Sequence, residues 1–232
     1  MNQAEAEEKL NDYLLKGIVF EIFWADEAKA LAVKIREHAA ALRQTEYAPL
    51  IYRLQIMASD LETLAVAKLF DNDTRTRSIP NVLSLVSDNL SIWQLKDRVP
   101  LESLLMNEGH TESTLKSSSD LDLIKLTMEH YQQTLPHPAN ASQSTFAAAL
   151  KSVRESRNKV HAHNEAIDPN ARTRPTWDAT ASLVAYAKDF VRVIALALLG
   201  LSLGPANYYL THDAALTGHL FERLLKQAKL ID

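Results

Sequence analysis

Arg154-Glu155-Ser156-Arg157-Asn158-Lys159-Val160-His161-Ala162-His163-Asn164-Glu165 is the stretch around which this chain is organised. It gathers basic, imidazole and amide side chains at the end of an amphipathic pattern. Phe146, Leu150, Val153 and Val160 recur at helical spacing. Arg157 follows Phe146 by eleven residues, which at about 100° per residue sets it about 20° from the same apolar stripe. A cation on a core-facing stripe needs a partner or a wet cleft. Arg157 therefore has two readings: an ion pair with Glu155, Asp60 or Glu62, or a grip on an anionic ligand.

Outward from this stretch, the sequence reads as helix after helix. Leu50, Leu54, Met57, Leu61 and Leu64 recur at three and four residues and predict a core helix over 50–70. Residues 4–42 predict helix in two pieces, with Gly17 and Trp24-Ala25-Asp26 as breaks and Asp26 as the cap of the second. Pro49 and Pro80 suit helix starts, and Pro100 closes the region 80–95. The polar, serine-rich stretch 107–120 reads as a loop. Asp120 is expected to cap a helix that Pro136 stops. A long helix over 176–203 is expected to end at Gly204-Pro205. Tyr208-Tyr209 then falls in a loop before a last helix from about Asp213 to Lys229. Only five glycines are present and no internal repeat is evident. The expectation is an all-α antiparallel bundle in one domain, with a core over about 40–203 and with the helices of 1–42 and 211–230 as additions.

Composition narrows the function. With no cysteine, disulfides, thiol catalysis and thiolate zinc sites are excluded. No glycine-rich phosphate loop is present, and no cofactor is expected. The first residues lack a basic segment followed by an apolar run, so no secretory signal is expected. The most apolar stretch, 193–203, is too short for a bilayer span of about 20 residues; a cytoplasmic protein with no membrane partner is expected. Net charge is −4, yet residues 151–163 hold four cations (Lys151, Arg154, Arg157, Lys159) against one anion, Glu155. Such a local basic patch on a mildly acidic chain suits an anionic substrate met at one place.

Arg157-Asn158 followed by His163 resembles the R-x4–6-H motif of HEPN domains. The string from Arg157 to Asn164 resembles the version in abortive-infection proteins of the AbiU type. Leu69-Phe70-Asp71 is similar to a step that ends a helix well before the motif in those proteins, and an apolar helix follows the motif, as 176–203 does here. The resemblance covers most of residues 40–203. It implies a HEPN-like bundle that forms a homodimer, with two motif helices facing across a cleft. It also implies a metal-independent endoribonuclease serving as a toxin or phage-defence effector, with RNA as substrate and an antitoxin or activating protein as a further partner. Some members are non-catalytic interaction modules that bind a partner protein or a nucleotide, and fold alone does not separate the two.

The chemistry fits the side chains. Metal-free RNA cleavage needs a base for the 2′-hydroxyl, an acid for the leaving oxygen and a cation for the phosphorane. A histidine titrating near neutrality serves the first two, and a guanidinium grips phosphate oxygens in pairs. His163 is assigned to proton transfer, Arg157 to phosphate binding and Asn158 to positioning, with Lys159, His161 and Arg154 as substrate-binding candidates. On an unbroken helix Arg157 and His163 stand about 240° apart, whereas His161 shares the face of Arg157. The choice between the two histidines stays open at this point. They point apart on a helix and have no carboxylate at ligand spacing, so no metal is expected.

Overall fold

The computed structural model describes residues 1–142, 144–158, 175–203 and 206–231, with backbone alone for 206–213. Every regular element among them is helical. The chain opens on α1, Gln3–Tyr13, where the Asn2 side chain accepts from Glu5 N–H and the Glu5 carboxylate accepts from Asn2 N–H. A π-helical turn, Leu14–Ile18, leads into α2, Val19–Glu37. Gly17 sits in that turn rather than at a break. A Cβ there would lie 2.2 Å from Arg77 Cβ and 2.9 Å from the Arg77 carbonyl oxygen. Asp26 does not cap a second helix. It lies inside α2, where Lys188 Nζ approaches Oδ2 to 2.6 Å.

A short α3, Ala39–Leu42, precedes α4, Ala48–Leu69, which carries Pro49 in its first turn. The stripe expected to be the core face of α4 faces largely outward. Leu50 is 54% exposed and Met57 64%, while Ile51, Ala58, Glu62, Ala65, Val66 and Leu69 are buried. Both sides of this helix carry apolar residues at helical spacing. The alanine-rich side permits the closer approach and is the one packed against α2.

Next come α5, Ile79–Ser87, a 3-10 turn at Leu90–Ile92, and α6, Val99–Asn107. Pro100 therefore opens a helix instead of closing a region. The expected loop at 107–120 contains α7, Glu112–Ser117, held by the Thr111 side-chain cap and the buried Leu115. The cap of α8, Asp120–Thr134, is Ser119 in a capping box with Asp122, one residue before the expected Asp120. The motif helix α9 spans Thr145–Arg157, and α10 spans Trp177–Leu199. Gly200, at φ +66°, ends α10 ahead of Gly204-Pro205. The last helix, α11, is Ala206–Gln227; it starts before Asp213 and takes in Tyr208 and Tyr209, which were expected in a loop.

α10 supplies the central rod, with Leu183, Ala187, Phe190, Val191 and Ile194 fully buried. The core around it takes Leu10, Leu14, Ile18 and Ile22 from the first helices, and side chains from α4, α5, α6, α8 and α9. α2 and α4 run antiparallel. Lys68 meets Glu21 at 2.9 Å at one end, and Ile35 packs with Ile51 at the other. α11 lies along α2 through Thr217 with Glu27 and through Glu222 with Lys34. No described helix is long and apolar enough to cross a membrane.

Two stability predictions follow from this packing. Gly17→Ala drives a methyl into the Arg77 backbone and should destabilise the fold by about 1–3 kcal/mol in urea titration; an unchanged midpoint would contradict the close approach. Burial, against an accepted hydrogen bond from Thr180 Oγ1 at 2.6 Å, raises the Glu62 carboxyl above the ordinary range. A raised folded value means that stability is lost as pH climbs past the unfolded carboxylate range. Glu62→Gln should thus gain on wild type as pH rises above the unfolded glutamate value of about 4.3. A pH-independent difference would show that the carboxyl is not desolvated.

Candidate functional site

α9 starts where the Ser144 hydroxyl accepts from Ala147 N–H at 3.3 Å. Leu150 and Val153 are fully buried. Phe146 packs edge-on to Phe70, with ring centroids 6.4 Å apart, and against Tyr186 at 5.3 Å. This packing fixes the azimuth of α9 and aims its last turn at the C-terminal end of α4. A helix end leaves carbonyls without intrahelical donors and carries partial negative charge. Arg154 Nη2 donates to the Phe70 carbonyl there at 2.7 Å. One turn on, Arg157 Nη1 meets Asp71 Oδ2 at 3.3 Å, and Arg157 Nε donates to Asn158 Oδ1 at 3.3 Å.

The corner that receives these arginines is stiff. Asp71 Oδ1 accepts from Asp73 N–H at 3.2 Å, and the Asp71 carbonyl accepts from the buried Ser78 hydroxyl at 2.6 Å. Asn81 Nδ2 donates to the carbonyls of Asp73 and Thr76, each at 2.7 Å. Arg75 clamps Asp73, which holds that carboxyl down at about 2. Burial first, then repulsion from Arg157, lowers Arg154 from the ordinary guanidinium value, and Asp71 opposes this. Arg154 nevertheless remains a cation, since an arginine does not deprotonate in a protein.

The stripe argument for Arg157 holds, but its partner is Asp71, and not Glu155 or Glu62. Glu155 approaches Lys151 at 3.9 Å, and Glu62 is engaged by Thr180. Arg157 and Asn158 stand together at the end of α9, with Asn158 still helical at φ −65°, ψ −41°. Arg154 is committed through Nη2 to a backbone carbonyl. Lys159, His161 and His163 lie outside the described residues, as does the loop expected from Ile167. Asp71 and the Phe70 carbonyl were missed as site residues, although Leu69-Phe70-Asp71 stood out in the sequence. The signal was an acid directly after a helix end, facing unpaired arginines elsewhere. Among the described residues no cluster of three histidine or acidic side chains is arranged to hold a metal. A separate cleft of about 420 Å³, between α6, α8 and α10, is lined by Leu104, Glu108, His130, Asp189 and Arg192 and shares no residue with the motif.

The all-α bundle and the Arg-Asn step docked on the Leu-Phe-Asp corner agree with a HEPN-type protein. The chain belongs to the HEPN family described as AbiU2, which matches residues 7–215. No curated protein and no solved structure matches it.

The geometry separates the two arginines energetically. Arg154→Ala leaves a partly buried carbonyl without its charged donor and should cost about 1–3 kcal/mol. Arg157→Ala breaks an ion pair whose side chains are 31% and 27% exposed, and should cost under about 1 kcal/mol. Urea unfolding of both variants checks the order; equal losses would contradict it.

Proposed function

We propose that this protein is a metal-independent endoribonuclease acting as a toxin or phage-defence effector in the cytoplasm. The observation that carries the reading is the Arg157-Asn158 step, held at a partly exposed helix end by a rigid acidic corner. A guanidinium positioned in this way supplies paired donors to phosphate oxygens without a search through rotamers. Asn158, in contact with Arg157 Nε, orients it. His163 removes the proton of the 2′-hydroxyl, or delivers one to the departing 5′-oxygen. Lys159, His161 and Arg154 add positive charge along the path of the RNA. Family membership over residues 7–215 supports the assignment, because Arg157, Asn158 and His163 resemble the R-x4–6-H motif of HEPN proteins. An antitoxin or activating protein is a further proposed partner.

A different observation favours a second reading. Large apolar side chains stand exposed on α4 and α11, including Met57 at 64% and Leu224 at 59%. A non-catalytic module that binds a partner protein would show such faces.

Cleavage of single-stranded RNA by purified protein in EDTA decides between them. Wild type should cut. His163→Ala should lose about 10²–10⁴-fold and Arg157→Ala about 10²–10³-fold, with unchanged circular dichroism. A dead His161→Ala beside an active His163→Ala would move the proton-transfer role by two residues. Absence of cutting by wild type, with the variants losing only a bound protein, would establish the interaction module.

A further inference from the structure

The cleft between α6, α8 and α10 is apolar at one end and charged at the other. The Ala197 carbonyl accepts from Lys96 N–H at 2.8 Å, so α6 starts beside the C-terminal end of α10. Where α6 stops, Glu108 Oε2 lies 3.7 Å from Nδ1 of His130 on α8. The next residue of α8, Tyr131, donates its hydroxyl to Asp189 Oδ2 of α10 at 3.1 Å. α6 and α10 therefore run antiparallel, and the lining divides along them. Pro100, Leu104, Val193 and Leu196 lie towards one end, and Glu108, His130, Asp189 and Arg192 gather at the other. Leu196 follows Asp189 by seven residues, about 10 Å of helix.

The charged end is held from the core side. Tyr131 is fully buried and stands edge-on to Phe190, with ring centroids 4.9 Å apart. Burial, then the Asp189 charge, pushes its phenol above the ordinary range and keeps it a donor. Asp189 is thus fixed through Oδ2, and Arg192 Nη2 donates to its Oδ1 at 2.7 Å. Arg192 makes no other hydrogen bond among the described residues, so Nε and Nη1 stay open to a ligand. Both Asp189 oxygens keep accepting capacity. The His130 side chain, 15% exposed, closes the wall against Glu108. The charges come in opposed pairs. A lone anion entering here meets two carboxylates, and a lone cation meets a guanidinium. A head group that carries both signs meets a partner for each.

We propose that this cleft binds a free apolar α-amino acid, such as leucine or phenylalanine. The ligand carboxylate takes the open donors of Arg192. The ammonium takes Glu108 and the remaining lone pairs of Asp189. The side chain lies along Leu104, Val193 and Leu196, away from the charges. The cleft volume of about 420 Å³ falls within the range of small-molecule sites, about 300–1,000 Å³. A peptide carries its ammonium and its carboxylate at opposite ends, so either terminus satisfies only half of this head-group site. The cleft shares no residue with the motif, and the inference is independent of whether the protein cuts RNA.

Isothermal titration calorimetry of the full chain with L-leucine and with L-phenylalanine tests it. Wild type should give saturable heat at one ligand per chain. N-acetyl-L-phenylalanine and L-phenylalanine amide, each lacking one of the two charges, should bind about tenfold or more weakly. Arg192→Met and Glu108→Gln should weaken L-phenylalanine to a similar degree. Ser103→Trp, an exposed position of α6 on the cleft wall, fills the space and should abolish the heat, with unchanged circular dichroism. The two charge variants alter exposed side chains and guard against misfolding of the tryptophan variant. Absence of heat with both amino acids overturns the proposal. Wild-type affinity in any of the three variants places the site elsewhere and also overturns it. Equal affinity for the acetylated or amidated ligand contradicts recognition of a zwitterion.

Discussion

At the end of α4 the backbone has run out of internal partners, and Arg154 supplies one from α9. That bond to the Phe70 carbonyl joins two helices far apart in sequence at the place where the motif begins. The cationic guanidinium suits the negative end of α4, and the aromatic packing of Phe146 on Phe70 keeps it within reach. Once Arg154 is fixed, Arg157 one turn later has little freedom, and Asp71 is placed to receive it. The stiff loop after Asp71 completes the support. Arg154 is thereby held by a backbone carbonyl, and Arg157 by an acidic partner and a neighbouring amide.

The sequence made the class of fold plain, because few glycines, no strand pattern and long apolar periodicities leave only helices. It also showed α9, whose apolar stripe is local. What it hid was orientation. On α4, Leu50-Leu54-Met57-Leu61-Leu64 has the stronger apolar signal, yet the smaller residues Ala58, Ala65 and Val66 face inward. Periodicity reports that a face is apolar, not which surface covers it. Helix ends were hidden for a related reason. Gly200 and Ser119 act through backbone geometry and a single hydroxyl, and neither outweighs a Gly-Pro step or an aspartate by type alone. The site was half readable: Arg157 stood out against its stripe, whereas Asp71 became meaningful only when α4 and α9 came together.

The outward stripe of α4 and the docked corner at its end belong to one helix with two duties. Its C-terminal end anchors the motif, and its outer side offers an apolar surface alongside α11. α4 is continuous from Ala48 to Leu69, so both features lie on one unbroken rod. Buried Glu62 and Asp26 sit on the inner side of the same helix pair, where burial holds both carboxyls above their ordinary range. Such groups lower stability at neutral pH, yet they fix the pairing of α2, α4 and α10 through Thr180 and Lys188.

The most direct test of the central claim is the chemistry of the ends produced from RNA. In a metal-free cut the 2′-oxygen attacks phosphorus, its proton passes to a base, and the 5′-oxygen leaves with a proton from an acid. Mass spectrometry of products formed in EDTA should therefore find 2′,3′-cyclic phosphate on one fragment and a 5′-hydroxyl on the other, with the yield of both lowered about 10²–10³-fold for Arg157→Ala. Fragments ending in 3′-hydroxyl and 5′-phosphate, or intact RNA at every protein concentration, would contradict the account.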